Sequence, residues 1–196
     1  MRLLFSAGGT GGHIMPLLAV ADKVKSFQPE VEVLFIVGGR SIDKTIVSSI
    51  PYPVVHLPLK KGVEGVYSGL KLAFKTLFAF NLPILRLVTS SRGVVTSGSY
   101  VSLLPILCAL ATTRPIYLIE PNAYPGKFTR FFGRFCRKVF GGWHTLRRNL
   151  SETNLSITGV PLRSGFSKNL TAREARTVLG ISEKKVVLLV LGGSQG

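Results

Sequence analysis

The feature that most constrains this 196-residue chain is an alternation. Short apolar runs that stop at glycine or a small polar residue take turns with longer segments of helical periodicity. The runs RLLFSA (2–7), VEVLFIV (31–37), VVHLPL (54–59), GVVTS (93–97), IYLIE (116–120), KVFGG (138–142) and KVVLLVLGG (185–193) read as strands. Several are apolar at consecutive positions, as strands are when both of their faces are covered. Helical periodicity occupies 16–27, 41–50, 67–88, 102–112, 126–137 and 171–179. Strand–helix alternation of this kind builds parallel sheets with right-handed crossovers, so the expected fold is α/β, a doubly wound parallel sheet. Such sheets bind ligands beyond the carboxyl ends of their strands. Those ends here read AGGTGGH, VGGR, TSGSY, IEPNAYPG and LGGSQG, which is where the chemistry is expected.

Charge narrows the partners. With 25 Lys+Arg against 9 Asp+Glu the chain carries a formal +16, which calls for a polyanion: nucleic acid or an anionic membrane surface. No nucleic-acid-binding motif is present, and the phenylalanines fall at helical rather than exposed-strand spacing, so no nucleic acid is expected. Neither long apolar stretch spans a bilayer. Residues 70–88 are broken by Lys71, Lys75, Asn81, Pro83 and Arg86, and residues 101–119 by Pro105, Arg114 and Pro115. The opening MRLLFSAGG is too short for the core of an export signal. Residues 60–87 mix lysines with more apolar surface than one buried face needs, and Lys71, Phe74, Lys75 and Phe78 are the candidate membrane contacts. In GKFTRFFGRFCRK (126–138) a basic arc lies beside a phenylalanine arc. Such a pair of arcs suits a helix lying at a lipid interface, but the favoured reading packs the phenylalanines on the sheet and turns the cations to water. Cys108 and Cys136 have neither metal-like nor redox spacing and read as reduced, buried residues; no metal and no cofactor is expected.

After the first strand, Gly8, Gly9, Gly11 and Gly12 allow a ligand to approach the backbone closely. Pro16 suits the first turn of the following helix, which Leu17, Leu18, Ala21 and Val24 would seat on the sheet. The bare N–H groups and dipole at that helix start would hold a phosphate; a purely structural turn is the alternative. The second strand ends in VGGR, without the acid of a dinucleotide site, and no P-loop lysine is present, which argues against a nicotinamide-dependent dehydrogenase. His13 stands where loop becomes helix. An imidazole titrating near pH 6.5 takes a proton from a hydroxyl at neutral pH, or it caps the loop by hydrogen bonding. His56 lies in a strand and His144 in a basic loop, and neither competes as a base.

The stretch GGTGGHIMPLLAVA (8–21), followed in order by SGSYVS (97–102), IEPNAYPGKFTRFF (119–132), TGVPLR (158–163) and LGGSQG (191–196), resembles the MurG family across the whole chain. Members add N-acetylglucosamine to the lipid-linked muramoyl-pentapeptide, converting lipid I to lipid II in peptidoglycan synthesis. The resemblance implies an inverting N-acetylglucosaminyltransferase of the GT-B architecture, two Rossmann-like domains facing a cleft. It implies UDP-N-acetylglucosamine and lipid I as partners, and a peripheral location on the cytoplasmic face of the bacterial inner membrane. By matching motif, Thr10, Gly11 and Gly12 would line the donor-sugar and diphosphate region, and Asn122 would touch the donor sugar. Arg163 would meet the nucleotide end, and Ser194 with Gln195 the diphosphate. His13 and Glu120 match the family's proposed catalytic positions and Tyr100 a residue of the acceptor loop. Glu120 could equally orient the base or cap the following loop.

This chain departs from the family's usual GGY.SGP, EQN and GNP.R, with Ser99 and Leu103 for glycines, Pro121 for glutamine and Val160 for asparagine. The expected organisation is an acceptor-binding domain over 1–165, a linker and helix over 166–183, and the first strand and glycine loop of a donor-binding domain over 184–196. The remainder of that domain would be absent or supplied by another chain. A second reading, of a different class, is a non-catalytic lipid-binding or membrane-recruiting subunit of a split glycosyltransferase, or an inactive remnant.

Overall fold

A computed structural model describes residues 1–8, 11–38, 47–48, 50–57, 81–150, 153–163 and 170–190. Seven strands form one sheet: β1 (Arg2–Ser6), β2 (Glu32–Gly38), β3 (Val54–Leu57), β4 (Val94–Thr96), β5 (Ile116–Glu120), β6 (Lys138–Gly141) and β7 (Leu155–Ile157). Every neighbouring pair is parallel and the order is β3-β2-β1-β4-β5-β6-β7. The helices are α1 (Gly11–Phe27), α2 (Asn81–Thr89), α3 (Leu103–Ala111), α4 (Lys127–Phe132) and α5 (Ala172–Val178). The expected doubly wound sheet is therefore present. Its strand order reverses between β1 and β4, the place where sheets of this kind open a crevice.

Two apolar layers explain why the strands lack polar alternation. On one face, Phe5, Ala7, Val33, Phe35, Val37, Val95 and Ile119 pack with Ile14, Leu17, Leu18 and Ala21 of α1. On the other, Leu4, Ile36, Val94, Ile116, Leu118 and Val139 pack with Ile84 and Val88 of α2 and with Leu104, Ile106, Cys108 and Ala109 of α3. Adjacent residues of β1, Leu4 and Phe5, thus enter opposite layers, as the period of two requires. Cys108 and Cys136 are free and buried, and burial alone lifts both thiols, that of Cys136 to about 12.

The structure differs from the sequence reading in four places. Helix α1 starts at Gly11, and Pro16 lies buried inside it rather than in its first turn. Proline offers no N–H to the carbonyl one turn back, so the Gly12 carbonyl lacks its regular helical donor. Strand β7 was not expected: three residues behind a polar stretch carry little hydropathy signal, and its pairing with β6 (Val139↔Leu155 to Gly141↔Ile157) makes it a strand. The helix expected over 126–137 stops at Phe132 and continues as the 3-10 turn Gly133–Phe135, where a Cβ on Gly133 would lie 3.0 Å from Thr153 Cγ2. Finally, 185–190 is no strand. Val186 and Leu188 are 99% and 87% exposed, and a strand exists only by pairing, which none of the described residues offers it. The helix expected at 41–50 lies mostly outside the described residues. Of that at 67–88, only the part from Asn81 is described, as α2.

Candidate functional site

Because all strands are parallel, the loops that follow them gather at one edge of the sheet. Gly8, after β1, is the pinch point: a Cβ there would lie 2.5 Å from Val101 Cγ2 and 3.1 Å from the Gly38 backbone nitrogen. Only glycine lets the ends of β1 and β2 meet the 3-10 turn Tyr100–Ser102 that follows β4.

His13 projects from the first turn of α1, beside Gly11 and Gly12, and its Nδ1 lies 2.9 Å from the Ser97 carbonyl oxygen. A carbonyl only accepts, so Nδ1 carries the proton and donates, and in the neutral ring the lone pair falls to Nε2. The imidazole thus links the helix that follows β1 to the loop that follows β4, at the strand-order reversal.

Glu120 ends β5, is 2% exposed, and accepts four hydrogen bonds. Its Oε1 takes Asn122 N (3.1 Å) and Asn122 Nδ2 (2.8 Å); its Oε2 takes Gly126 N (3.2 Å) and the Thr129 hydroxyl (2.5 Å). A carboxylate so engaged pins the 121–126 loop to the start of α4. The same loop is held from the other side. Trp143 Nε1 donates to Pro121 O at 3.0 Å, the Thr145 hydroxyl to Ala123 O at 2.7 Å, and Gly142 N to Glu120 O at 2.9 Å.

The two candidate catalytic residues meet through the β4 loop. Gly98 has φ +75, and a Cβ on it would sit 3.3 Å from Thr129 Oγ1 and 3.4 Å from Phe128 Cδ1. His13 thus rests on one end of the Ser97–Gly98 unit, and the threonine that binds Glu120 rests on the other. Tyr100, 37% exposed, opens the 3-10 turn of the same loop. Asn122 is exposed, with its amide nitrogen committed to Glu120. Arg163 is exposed in the segment that follows β7, the edge strand of the sheet. Thr10, Ser194, Gln195, Lys71, Phe74, Lys75 and Phe78 lie outside the described residues.

The departures from the family pattern are accommodated. Ser99 is extended (φ −86, ψ 165) and Leu103 helical (φ −57, ψ −52), backbone any residue adopts. Pro121 contributes its carbonyl to Trp143, and Val160 packs on Gly142, where a Cβ would lie 2.7 Å from Val160 Cγ2. Sequence reasoning missed Ser97, Thr129 and Trp143. Ser97 acts through its backbone, which no residue type announces. Thr129 stands among cations that draw attention away from it.

Below the same edge, α4 and its 3-10 extension divide their phenylalanines. Phe128 and Phe132 pack against the core, whereas Phe131 and Phe135 are 56% and 47% exposed, which corrects the expectation that all four face the sheet. The Arg134 guanidinium lies 5.5 and 5.1 Å from those two exposed rings, and Arg130 lies 5.5 Å from Tyr124. Lys127, Arg130, Phe131 and Arg134 line a concavity of about 300 Å³. Among the described residues the ion pairs are Arg2–Glu32 and Arg173–Glu183, so these cations have no carboxylate partner there. Also among the described residues, no helix is long and apolar enough to cross a membrane, and no cluster of His, Cys, Asp or Glu could hold a metal.

The glycosyltransferase family 28 N-terminal domain matches residues 3–141, more than half of the chain. The chain belongs to that family. Two relatives named UDP-N-acetylglucosamine–N-acetylmuramyl-(pentapeptide) pyrophosphoryl-undecaprenol N-acetylglucosamine transferase illustrate it. That of Carboxydothermus hydrogenoformans is 32% identical over 205 residues, covering 100% of this chain and 54% of the relative. That of Synechococcus elongatus is 35% identical over 197 residues, covering 100% and 52%. The chain therefore spans about half the length of the curated relatives it matches. Among solved structures, Acinetobacter baumannii MurG has a TM-score of 0.60 at 19% identity, covering 83% of this chain and 45% of that one. The Neisseria meningitidis UDP-GlcNAc 2-epimerase bound to UDP-GlcNAc has 0.61 at 10% identity, covering 82% and 47%. At such identities the two structural likenesses speak for the fold alone, the α/β architecture found in GT-B glycosyltransferases.

Proposed function

We propose that this chain supplies the acceptor and membrane half of an N-acetylglucosaminyltransferase, which moves N-acetylglucosamine from UDP-N-acetylglucosamine to the lipid-linked muramoyl-pentapeptide at the cytoplasmic face of the bacterial inner membrane. The observation that carries the reading is the hydrogen bond from His13 Nδ1 to the Ser97 carbonyl, which leaves Nε2 as a base at the sheet edge. Nε2 takes the proton of the acceptor hydroxyl as its oxygen bonds to the anomeric carbon. The bond from that carbon to the diphosphate breaks on the opposite face, so configuration inverts and UDP departs with both electrons. The N-terminal turn of α1, with Gly11 and Gly12, offers N–H groups and the positive end of a dipole to the diphosphate; Arg163 serves the nucleotide end. Asn122, held by Glu120, faces the donor sugar, and Glu120 acts by holding that loop. The exposed Phe131 and Phe135 among Lys127, Arg130 and Arg134 suit an anionic lipid surface, each cation contributing about 1 kcal/mol near it. A donor-binding domain completes the site.

The test is transfer of labelled N-acetylglucosamine from UDP-N-acetylglucosamine to a short-chain lipid I analogue. The chain is assayed alone and mixed with the separately produced carboxy-terminal domain of a family member. Transfer restored by mixing and lost with His13→Ala supports the proposal. Absence of transfer together with retained binding of the lipid analogue replaces it with the lipid-binding subunit.

A further inference from the structure

Four buried hydroxyls lie behind the Ser97 carbonyl: those of Thr96, Ser99, Ser102 and, on β1, Ser6, exposed by 0%, 4%, 0% and 0%. Their donor directions follow from chemistry. Ser102 Oγ is 2.9 Å from the Ser6 carbonyl, which only accepts, so the one proton of Ser102 goes there. Ser102 Oγ can then only accept, from the Thr96 hydroxyl at 2.5 Å and from that of Ser99 at 3.3 Å. Thr96, having donated, turns a lone pair to the Gly98 N–H, which donates to it at 3.2 Å. That N–H and the Ser97 C=O belong to one planar peptide unit and point in opposite directions. Fixing the nitrogen end against Thr96 therefore aims the oxygen end at His13.

We propose that Ser102 is a positioning residue for His13. Through Thr96 and the Ser97–Gly98 peptide, its hydroxyl ties the imidazole to β1 and keeps the proton on Nδ1. The hydroxyl links of Ser102 to Thr96, Ser99 and the Ser6 carbonyl are buried, which keeps water from substituting for them. The left-handed φ of +75 at Gly98 is the backbone state that lets the peptide plane stand this way between two anchored ends. Ser6 provides an internal contrast: its own hydroxyl is equally buried and has no partner among the described residues, so it adds nothing to the chain of bonds.

The inference rests on the reading of His13 as the base, but its readout is the imidazole and not turnover. A failed transfer assay leaves it standing, and an unchanged imidazole overturns it whatever that assay shows. The experiment is nitrogen-15 NMR of the histidine rings in the full chain, with hydrogen exchange of the Gly98 amide. The unaltered chain should show His13 as the Nδ1–H tautomer. Ser102→Ala and Thr96→Val should each bring in the Nε2–H form and speed Gly98 exchange about tenfold, as loss of one hydrogen bond does. Ser6→Ala should leave both signals as they are. A folded Ser102→Ala or Thr96→Val chain that keeps the Nδ1–H form overturns the proposal, even if its melting temperature falls. Should Ser102→Ala fail to fold, Thr96→Val, which preserves the branched shape, decides alone.

Discussion

Removing the Thr129 hydroxyl tests whether Glu120 organises the 121–126 loop. Thr129 is 1% exposed, and its hydroxyl donates to Glu120 Oε2 at 2.5 Å, the shortest of the four bonds that carboxylate accepts. A hydrogen bond to an ionised acceptor contributes about 1.5–3 kcal/mol net. In Thr129→Val the added methyl returns about 0.8 kcal/mol of burial, so the expected net loss is about 1–2 kcal/mol. With a urea m-value of about 2 kcal/mol per molar, the unfolding midpoint should fall by about 0.5–1 M. Thr129→Ser loses a methyl and keeps the hydroxyl, at a comparable cost of about 1 kcal/mol. The two variants therefore part company in the loop rather than in the midpoint. Hydrogen exchange at Gly126 and Asn122 should accelerate in Thr129→Val and stay slow in Thr129→Ser. A Thr129→Val chain with an unchanged midpoint, or with both amides as protected as before, would refute the view that this carboxylate pins the loop through Thr129.

Two further outcomes follow from packing and burial. Gly8→Ala places a Cβ 2.5 Å from Val101 Cγ2, and overpacking of that kind costs about 1–3 kcal/mol; urea unfolding should show the loss, and adding Val101→Ala should recover part of it as a non-additive pair. Burial lifts the Cys136 thiol from 9.0 to about 12, so above pH 9 the unfolded chain loses this proton while the folded chain keeps it. The unfolded state then binds fewer protons, and stability should fall between pH 9 and 12. Cys136→Ala should flatten that decline in urea midpoints measured against pH.

Strand–helix alternation was legible in the sequence because hydropathy period is a local property. Each of β1 to β6 lies within two residues of its apolar run, and Glu120 ends its strand where IYLIE stops. The ordered motifs at the strand ends likewise marked the edge on which His13, Tyr100, Glu120 and Asn122 stand. What stayed hidden depends on residues far apart in the chain. The partner of His13 is a backbone carbonyl 84 positions away, and its direction is set by hydroxyls that no composition reveals. Phe131 and Phe135 are exposed while Phe128 and Phe132 pack on the core, a division that the shared helical spacing of the four does not reveal. Residues 155–157 became a strand, and 185–190 did not, for one reason: the backbone ladder is completed by a neighbour, and only tertiary structure supplies or withholds one. The sequence by itself thus determined the alternation of strands and helices from β1 to β6 and which loops share an edge. The tertiary structure decided how the polar groups on that edge are paired, since hydrogen-bond direction depends on what packs across from a residue and not on the residue alone.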